Sequence, residues 1–238
     1  MDFNDVKGVV RQGELPIESV ENPYGDYYII KIKNDAGLTW VPGEHGIYTL
    51  PNKQVEGRKY RLFSVASIPE EGFLLIGTRT GKEASSFKQA LVSMQPGEKI
   101  TIRGPFGWMK VKDETSPIVM FASGVGITPF RALLKQLEFD TRRPIEVVYS
   151  SSKYYLFGEE IEKIVQNNPV IHLHKMTSRE ETTAKLDELV DQYGNSAYYF
   201  NSGARAVLKS VKKHYKEKGI QGKESFRIRS SEQSKCKK

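Results

Sequence analysis

A strand–turn–helix junction in the middle of the chain limits the possible folds more than any other segment. The apolar run Val119–Ala122 stops at a Gly-x-Gly turn, and Pro129 opens a segment with the apolar spacing of a helix. Gly124 and Gly126 carry no Cβ, so the backbone of the turn can come close to a bulky anion. The first turn of the helix adds free N–H groups and the positive end of the helix dipole. The junction therefore predicts a pyrophosphate-binding turn, although Pro129 stands where the G-x-G-x-x-G pattern has its third glycine.

After Pro117 strands and helices alternate along the chain. This order is typical of a parallel sheet with right-handed crossovers, on which ligands bind beyond the carboxyl ends of the strands. The Gly-x-Gly turn follows the first of these strands, so it lies at the edge where a ligand is expected. The predicted strands are Ile118–Ala122, Ile145–Tyr149, Val170–Lys175, Ala197–Phe200 and Ser225–Ile228, and the predicted helices are Pro129–Phe139, Gly158–Gln166, Ala184–Tyr193 and Ala204–Lys218.

The first half of the chain has a different pattern, with short segments rich in β-branched and aromatic residues. Turn sequences containing Pro and Gly separate these segments, which predicts a small antiparallel barrel. One helix, Ser85–Met94, interrupts the strands and has Ser85 as its candidate N-cap. The predicted strands are Tyr27–Lys33, Gly46–Leu50, Arg61–Val65, Phe73–Arg79 and Lys99–Arg103.

The single cysteine and the distribution of charge narrow the function classes. Cys236 stands alone, which excludes an internal disulfide and a cysteine-held metal cluster and makes a reducing cytoplasm the expected location. We expect no membrane span, since no apolar run approaches the ~20 residues required, and the N-terminus lacks the features of a signal peptide. Residues 203–238 contain twelve Lys and Arg against three Glu. Such a basic region is either a solvated surface or a docking surface for an acidic partner.

Two polar motifs of the first half can each bind an anion. Arg61-Leu-Phe-Ser64 places a guanidinium, which binds phosphate oxygens in pairs, two residues before an aromatic ring on the same side of a strand. The alternative is an ordinary strand with a surface arginine and a core phenylalanine. Ser85 and Ser86 offer hydroxyl and N–H groups at the start of a helix. The alternative there is a simple N-cap.

Taken in order, these motifs carry a resemblance that no single one of them carries. Arg61-x-Phe-Ser64 is followed by the serine-capped helix, by Gln95-Pro-Gly-Glu98, by Gly104-Pro-Phe-Gly107 and by the Gly-x-Gly-x-x-Pro turn. The set resembles the ferredoxin–NADP reductase family, in particular its compact bacterial FAD/NAD(P)-binding oxidoreductases. The resemblance extends from about Val9 to about Phe226. It includes Trp40-Val-Pro-Gly-Glu-His45, which is similar to the segment that precedes the family's flavin strand.

The resemblance implies an FAD site in the first half. Arg61 would hold the flavin diphosphate together with Ser85 and Ser86, and this second anion site favours FAD over FMN. Phe63 would lie against the flavin or its ribityl chain. Ser64 would lie near the flavin N5 atom as a catalytic residue. Two further residues would approach the flavin from the next strand and turn, Thr78 and Thr80.

The resemblance also implies an NAD(P) site in the second half. The pyrophosphate would be bound by Gly124, Gly126, Thr128 and Pro129. The turn Ser202-Gly203-Ala204 stands where the family has Cys-Gly-Pro, so Ser202 would be the catalytic residue near the nicotinamide with Gly203 beside it. Lys153, Ser178 and Arg179 would meet the 2′-phosphate of NADPH, which favours NADPH over NADH. Two ordinary polar loops are the alternative, and NADH then remains open. Glu224-Ser-Phe226 lacks the family's following aromatic, which leaves the group that covers the flavin open.

Two histidines and the single cysteine are further candidates for a metal site or a reactive group, but no family motif includes them. His172 and His174 lie on one face of a predicted strand, but a metal site needs more ligands than the neighbouring sequence offers. We therefore expect a structural role and no metal. Cys236 lies in a lysine-rich tail and is expected to be a solvated residue, the alternative being a reactive thiol.

The sequence thus predicts a two-domain protein: an N-terminal antiparallel β-barrel that binds flavin, residues 1–112, and a C-terminal α/β parallel-sheet nucleotide-binding domain, residues 113–229. Residues 230–238 are expected to be a disordered basic tail. The predicted activity is hydride transfer from NAD(P)H to FAD, with electrons then passed to a protein acceptor such as ferredoxin or flavodoxin. An acidic carrier of this kind could dock on a row of helical lysines, namely Lys209, Lys212, Lys213 and Lys216.

Two other functions remain open at this stage. One is the NADH-dependent reductase component of an oxygenase, or a diffusible flavin reductase. The other is a binding module that keeps the fold without turnover. Binding of nucleic acid is not expected, because the basic region lacks the aromatic-rich sheet on which single-stranded bases stack.

Overall fold

The computed structural model describes residues 11–107, 109 and 111–221, together with the backbone of residues 226–229. The chain divides into two units, residues 1–108 and 109–238. Each unit is described separately below. The predicted tail, residues 230–238 with Cys236, and the predicted contribution of Glu224 lie outside the described residues.

Six antiparallel strands form a barrel-like sheet in the first unit. They are β1 (Gln12–Tyr24), β2 (Tyr27–Lys33), β3 (His45–Thr49), β4 (Tyr60–Ser64), β5 (Phe73–Arg79) and β6 (Lys99–Phe106), and helix α1 (Ser86–Val92) lies between β5 and β6. The order of the strands in the sheet is β4-β3-β6-β1-β2-β5. Alternate residues of the strands point inward, so Leu15 and Ile17 of β1 join Ile30 and Ile32 of β2 in the buried core. The predicted antiparallel barrel is confirmed.

The sequence analysis missed β1, the longest strand of this unit. Its sequence, residues 12–24, contains Pro16 and several polar residues, which weaken the strand pattern. The extended conformation of β1 is stabilised by its neighbours, because β1 is hydrogen-bonded to β6 on one side and to β2 on the other. A register shift between Ile17 and Ser19 bends the strand along its course.

The second unit contains a parallel sheet of five strands among its described residues. The strands are β7 (Ile118–Ser123), β8 (Ile145–Ser150), β9 (Ile171–Met176), β10 (Tyr198–Gly203) and β11 (Phe226–Arg229), and their order is β11-β10-β7-β8-β9. Four helices connect them: α2 (Thr128–Leu137), α3 (Gly158–Asn167), α4 (Arg179–Tyr193) and α5 (Arg205–Glu217). The predicted α/β parallel sheet is confirmed.

The direction of the connections sets which face of the sheet each helix covers. The chain moves from β7 through β8 to β9 in one direction and then crosses back to β10. Right-handed crossovers therefore place α2 and α3 on one face and α4 and α5 on the other. On the second face Leu186 and Leu189 of α4 and Tyr215 of α5 pack against Val119 and Phe121 of β7.

Two predicted element boundaries are wrong for identifiable reasons. Helix α4 begins at Arg179 and not at Ala184. Its start is fixed by a capping box, in which Ser178 and Glu181 satisfy each other's backbone N–H groups. Strand β10 continues past Phe200 to Gly203, because Ser202 is still paired with Ala122 of β7.

Candidate functional site

Arg61 is a buried cation at the first candidate site. It is 8% exposed on β4. One guanidinium nitrogen donates to the carbonyl oxygens of Arg58 and Tyr60, at 3.0 and 2.9 Å. Burial lowers the pKa of the guanidinium, and the positive charge of Arg58 lowers it further. No carboxylate pairs with Arg61 within the described part of the chain. Arg61 is therefore a partly desolvated positive charge without a negative partner among the described residues, which is an arrangement suited to an anion.

Helix α1 lies directly beside this arginine. The guanidinium carbon of Arg61 is 5.4 Å from the centre of the Phe87 ring, in the first turn of the helix. The Ser86 hydroxyl accepts a hydrogen bond from the Glu56 backbone N–H at 3.0 Å, and so ties the helix to the loop that leads into β4. The tertiary structure thus brings together two motifs that the sequence analysis could relate only by their order.

The serines of α1 have roles within the protein. The Ser85 hydroxyl accepts a hydrogen bond from the Lys88 backbone N–H at 3.4 Å, so the predicted N-cap is confirmed. The helix contains seven residues, from Ser86 to Val92. It is therefore shorter than the predicted helix, which extends to Met94. With both hydroxyls bound to backbone N–H groups, Ser85 and Ser86 shape the start of the helix. A direct part in anion binding stays a prediction.

Phe63 lies in the core of the barrel. The residue is 5% exposed, and its ring is 5.6 Å from the Tyr48 ring and 6.3 Å from the Phe87 ring. This matches the alternative that the sequence left open, a core phenylalanine. The contact with a flavin that the resemblance implies for Phe63 stays a prediction.

Ser64 differs from Phe63 because its hydroxyl is available. The residue is 7% exposed, and its hydroxyl forms no hydrogen bond to any residue that the structure describes. A serine in such a place can still give one hydrogen bond and receive one. Ser64 therefore gives β4, besides Arg61, a second polar group that can meet a ligand.

The two threonines of the predicted site are placed differently from each other. Thr78 is 2% exposed on β5. The Thr80 hydroxyl points back into its own turn, where it donates to the carbonyl oxygen of Asp26 at 3.4 Å. The backbone N–H of Thr80 donates to the same oxygen at 2.9 Å. Thr80 therefore shapes the turn after β5.

His45 belongs to this region, and the sequence analysis did not identify it as a site residue. It lies directly opposite Ser64 in the pairing of β3 with β4, and side chains in such pairs are neighbours on one face. Its ring is 4.6 Å from the Phe106 ring. Burial lowers the pKa of the imidazole to about 4, which keeps it neutral at physiological pH. The segment Trp40–His45 was noted in the sequence, but only the pairing places His45 beside Ser64.

The Gly-x-Gly turn of the second unit uses its two glycines for different purposes. Gly124 has a φ of +54°, and open space surrounds the position of a Cβ there. A Cβ at Gly126 would lie 2.1 Å from the carbonyl oxygen of Ser202. Our expectation that both glycines serve the approach of an anion is therefore incomplete, because β10 itself requires Gly126. Pro129 lies in the first turn of α2, as predicted, and the Thr128 hydroxyl donates to the Val125 carbonyl at 2.7 Å.

The other residues predicted to bind the nucleotide lie at or just after the carboxyl ends of β8, β9 and β10, at the same edge of the sheet as the Gly-x-Gly turn after β7. Strand β7 lies between β10 and β8, which is where the connections reverse direction and where such sheets bind ligands. Ser202 and Gly203 end β10 beside the Gly-x-Gly turn. Ser202 is 3% exposed, and its hydroxyl forms no hydrogen bond within the described part of the chain.

The residues predicted to select NADPH follow the next two strands. Lys153 follows β8 and is exposed, and no described residue forms an ion pair with it. Ser178 accepts the capping hydrogen bond from the Glu181 N–H at 3.1 Å. Arg179 donates to the Ser210 hydroxyl of α5 at 3.1 Å. Lys153 and Arg179 are thus exposed cations that follow the carboxyl ends of β8 and β9.

The histidines of β9 share one buried carboxylate. Glu146 of β8 is 4% exposed. Its oxygens lie 3.1 Å from His172 Nδ1, 2.7 Å from His174 Nε2 and 2.9 Å from the Tyr193 hydroxyl. Burial alone would raise the pKa of Glu146, but the three hydrogen bonds outweigh it and the pKa is lowered. This is the structural role that we expected for the two histidines, since the cluster joins β8, β9 and α4.

The lysines of the predicted docking surface lie on the exposed side of α5, and the docking itself stays a prediction. Lys209, Lys212 and Lys216 are exposed and form no ion pair with a described residue. Lys213 lies 3.6 Å from Glu217, which partly neutralises it. The apolar side of the helix, with Leu208, Val211 and Tyr215, is buried. The exposed side therefore has a concentrated positive charge.

Comparison with known proteins finds relatives that are similar to this chain over part of their length. No protein-family model matches the chain. Leaf isozyme 1 of the chloroplastic ferredoxin–NADP reductase of Arabidopsis thaliana is 28% identical over 223 residues, which cover 75% of this chain and 61% of that protein. The chain is thus similar in sequence to a ferredoxin–NADP reductase over three quarters of its length. A component of the Na⁺-translocating NADH-quinone reductase of Klebsiella pneumoniae is 28% identical over 134 residues, 51% of this chain.

A solved structure shows the same fold over almost the whole length of both chains. A ferredoxin–NADP⁺ reductase from Neisseria gonorrhoeae, solved with bound FAD and NADP, matches with a TM-score of 0.75 at 15% identity. The match covers 92% of this chain and 98% of that chain. The curated relatives are longer: the chain spans 33% of the Klebsiella component and 61% of the Arabidopsis enzyme. Among the described residues, no helix is long and apolar enough to cross a membrane.

Proposed function

We propose that this chain is an NAD(P)H-dependent FAD oxidoreductase that passes electrons from NAD(P)H through the flavin to a protein acceptor such as ferredoxin or flavodoxin. The observation that carries the proposal is Arg61, a buried guanidinium without a carboxylate partner among the described residues, on a strand that also presents the available hydroxyl of Ser64. A cytoplasmic location remains part of the proposal.

The residues of the first unit fit an FAD. A diphosphate needs positive charge and hydrogen-bond donors, which Arg61 and the first turn of α1 supply side by side. The Ser64 hydroxyl can give a hydrogen bond to a ring nitrogen or accept one from it. When bound, the flavin supplies the hydride and electron chemistry, and the protein supplies orientation and electrostatics.

The residues of the second unit fit a nicotinamide dinucleotide. Gly124 leaves open space at the start of the turn, and α2 presents its N-terminus there. The available hydroxyl of Ser202 lies at the neighbouring strand end, where it can hold the nicotinamide amide. Lys153 and Arg179 supply the positive charge that a 2′-phosphate requires, and for that reason NADPH is the proposed donor.

The basic side of α5 supports an acidic acceptor. Exposed charges that lack partners steer an oppositely charged protein and accelerate its association. The second candidate is the reductase component of a larger redox system, such as an oxygenase, or a diffusible flavin reductase. Similarity to a component of the quinone reductase favours it. The same chemistry would then serve a different acceptor.

One experiment tests the proposal directly. The purified protein is examined for a yellow flavin spectrum, the flavin is released and identified by chromatography, and the holoprotein is titrated anaerobically with NADH and with NADPH. We expect FAD, and bleaching of the flavin by NADPH at lower concentration than by NADH. A protein that binds no flavin when FAD is added in excess, or a flavoprotein that neither nucleotide reduces, contradicts the proposed function.

A further inference from the structure

A second arginine, Arg58, lies on the loop that leads into β4, close enough that its charge lowers the pKa of Arg61. Arg58 is exposed, and its guanidinium carbon is 5.4 Å from the centre of the Tyr60 ring. Its backbone carbonyl accepts the hydrogen bond from the Arg61 guanidinium at 3.0 Å. No described carboxylate forms an ion pair with either arginine, and this includes the nearby Glu56.

The loop that carries Arg58 is held by the protein at several points. Val55 is 4% exposed and belongs to the core of the barrel. Gly57 turns the chain with a φ of +69°, a conformation that other residues rarely adopt. The hydrogen bond from Glu56 to Ser86 joins the loop to α1. Arg58 thus projects from a backbone that is fixed relative to both Arg61 and the start of α1.

Two neighbouring guanidiniums repel each other unless an anion lies near both. Contact with an aromatic face favours one orientation of an arginine at modest cost in water, so Tyr60 positions Arg58 without neutralising it. Each guanidinium can bind one phosphate group through paired hydrogen bonds. A pair of such groups without acidic partners among the described residues therefore matches a diphosphate better than a single phosphate.

We propose that Arg58 is a second binding residue for the flavin diphosphate, with Tyr60 as the residue that positions it. The proposal rests on the proposed function, because it assigns the diphosphate to FAD. It adds to Arg61 a residue that lies outside the Arg-x-Phe-Ser motif. Riboflavin has no phosphate, so its binding should not depend on Arg58.

The test is a titration of the flavin-free protein with FAD and with riboflavin, followed by the fluorescence of the flavin. Arg58→Ala should weaken FAD binding by about tenfold or more, the loss of one charge-assisted contact, and leave riboflavin binding unchanged. Tyr60→Ala should weaken FAD binding by a smaller factor, and Tyr60→Phe should retain it. The control variant, Lys33→Ala, removes an exposed charge from β2. This variant should bind FAD as tightly as the wild type.

The outcomes separate the two proposals. Equal FAD affinity in the wild type and Arg58→Ala overturns the role of Arg58 and leaves the proposed function intact. An equal loss for FAD and riboflavin also overturns it, because the loop would then act through its shape. The melting temperature of the flavin-free variants should match that of the wild type. A wild type that binds neither flavin contradicts the proposed function itself.

Discussion

Gly126 lies so close to the carbonyl oxygen of Ser202 that a Cβ at residue 126 would be 2.1 Å from it. The turn after β7 and the end of β10 therefore meet through backbone alone. Gly203 is also confined, since a Cβ there would lie 2.8 Å from the Cβ of Ser123. This close packing joins the turn expected to bind a pyrophosphate to the residues expected near a nicotinamide.

The first prediction compares the two glycines of the turn. Gly126→Ala must displace backbone, so we expect a loss of at least about 2 kcal/mol in the free energy of unfolding. Gly124→Ala meets no atoms but adopts a left-handed conformation, which costs about 1 kcal/mol. Denaturant unfolding without ligand measures both. Equal stability of the two variants would contradict the packing role of Gly126.

The second prediction concerns Ser64. If its hydroxyl meets the reacting edge of the flavin, Ser64→Ala should slow anaerobic reduction of the flavin by NADPH by about tenfold, the effect of roughly 1.4 kcal/mol. FAD affinity should change much less, because the proposed site for the diphosphate is Arg61 and not Ser64. Stopped-flow absorbance gives the rate and a flavin titration gives the affinity. An unchanged rate removes Ser64 from the catalytic residues.

The third prediction concerns the choice of nucleotide. Lys153→Ala and Arg179→Ala should each raise the KM for NADPH by about tenfold and leave that for NADH nearly unchanged, because only NADPH carries a 2′-phosphate. Lys163→Ala, on the exposed side of α3, is the matched control and should alter neither. Steady-state kinetics with both nucleotides provide the measurement. A wild type that prefers NADH contradicts the assignment.

The fourth prediction concerns Glu146. Its pKa is lowered in the folded protein, so its contribution to stability is present above the ordinary glutamate pKa of about 4.3 and is lost as the pH falls through the lower folded value. Glu146→Gln should therefore lower the free energy of unfolding at pH 7 by about 1–3 kcal/mol. The difference from the wild type should narrow below about pH 4.

The matched control for this carboxylate is Glu159→Gln, an exposed residue in the first turn of α3. It should change stability by at most about 0.5 kcal/mol. Urea unfolding at several pH values measures the free energy of unfolding of the wild type and of the two variants. A Glu146→Gln variant as stable as the wild type at pH 7 would show that the cluster with His172 and His174 does not stabilise the fold.

The fifth prediction concerns the basic side of α5. Reversal of Lys212 and Lys216 to Glu should slow electron transfer to an acidic carrier such as a ferredoxin and weaken its dependence on salt. Both lysines lack an ion pair among the described residues, whereas Lys213 already has Glu217. Reduction of ferricyanide, a small acceptor, should change much less. If the variant reduces the carrier as fast as the wild type at every ionic strength, the lysines do not steer the carrier. Their charge then serves solubility only.

The sequence by itself determined the fold class and the order of the motifs. Short β-rich segments and then alternating strands and helices predict a barrel followed by a parallel sheet, since hydrophobic period and turn residues are local properties. The N-cap at Ser85 and the proline in the first turn of α2, Pro129, are also local features, and both are present in the structure. Strand β1 escaped detection because its pairing with β2 and β6, and not its local preference, keeps it extended.

Only the tertiary structure decided which of these residues meet. Long-range pairing places His45 opposite Ser64, and packing brings Arg61 and the loop that carries Arg58 to the start of α1. It also assigns Gly126 to contact with Ser202, and it commits His172 and His174 to Glu146. These relationships join residues far apart in the chain, and spacing along the sequence carries no information about them. They follow from strand register and from close packing, which are fixed only when the whole core forms.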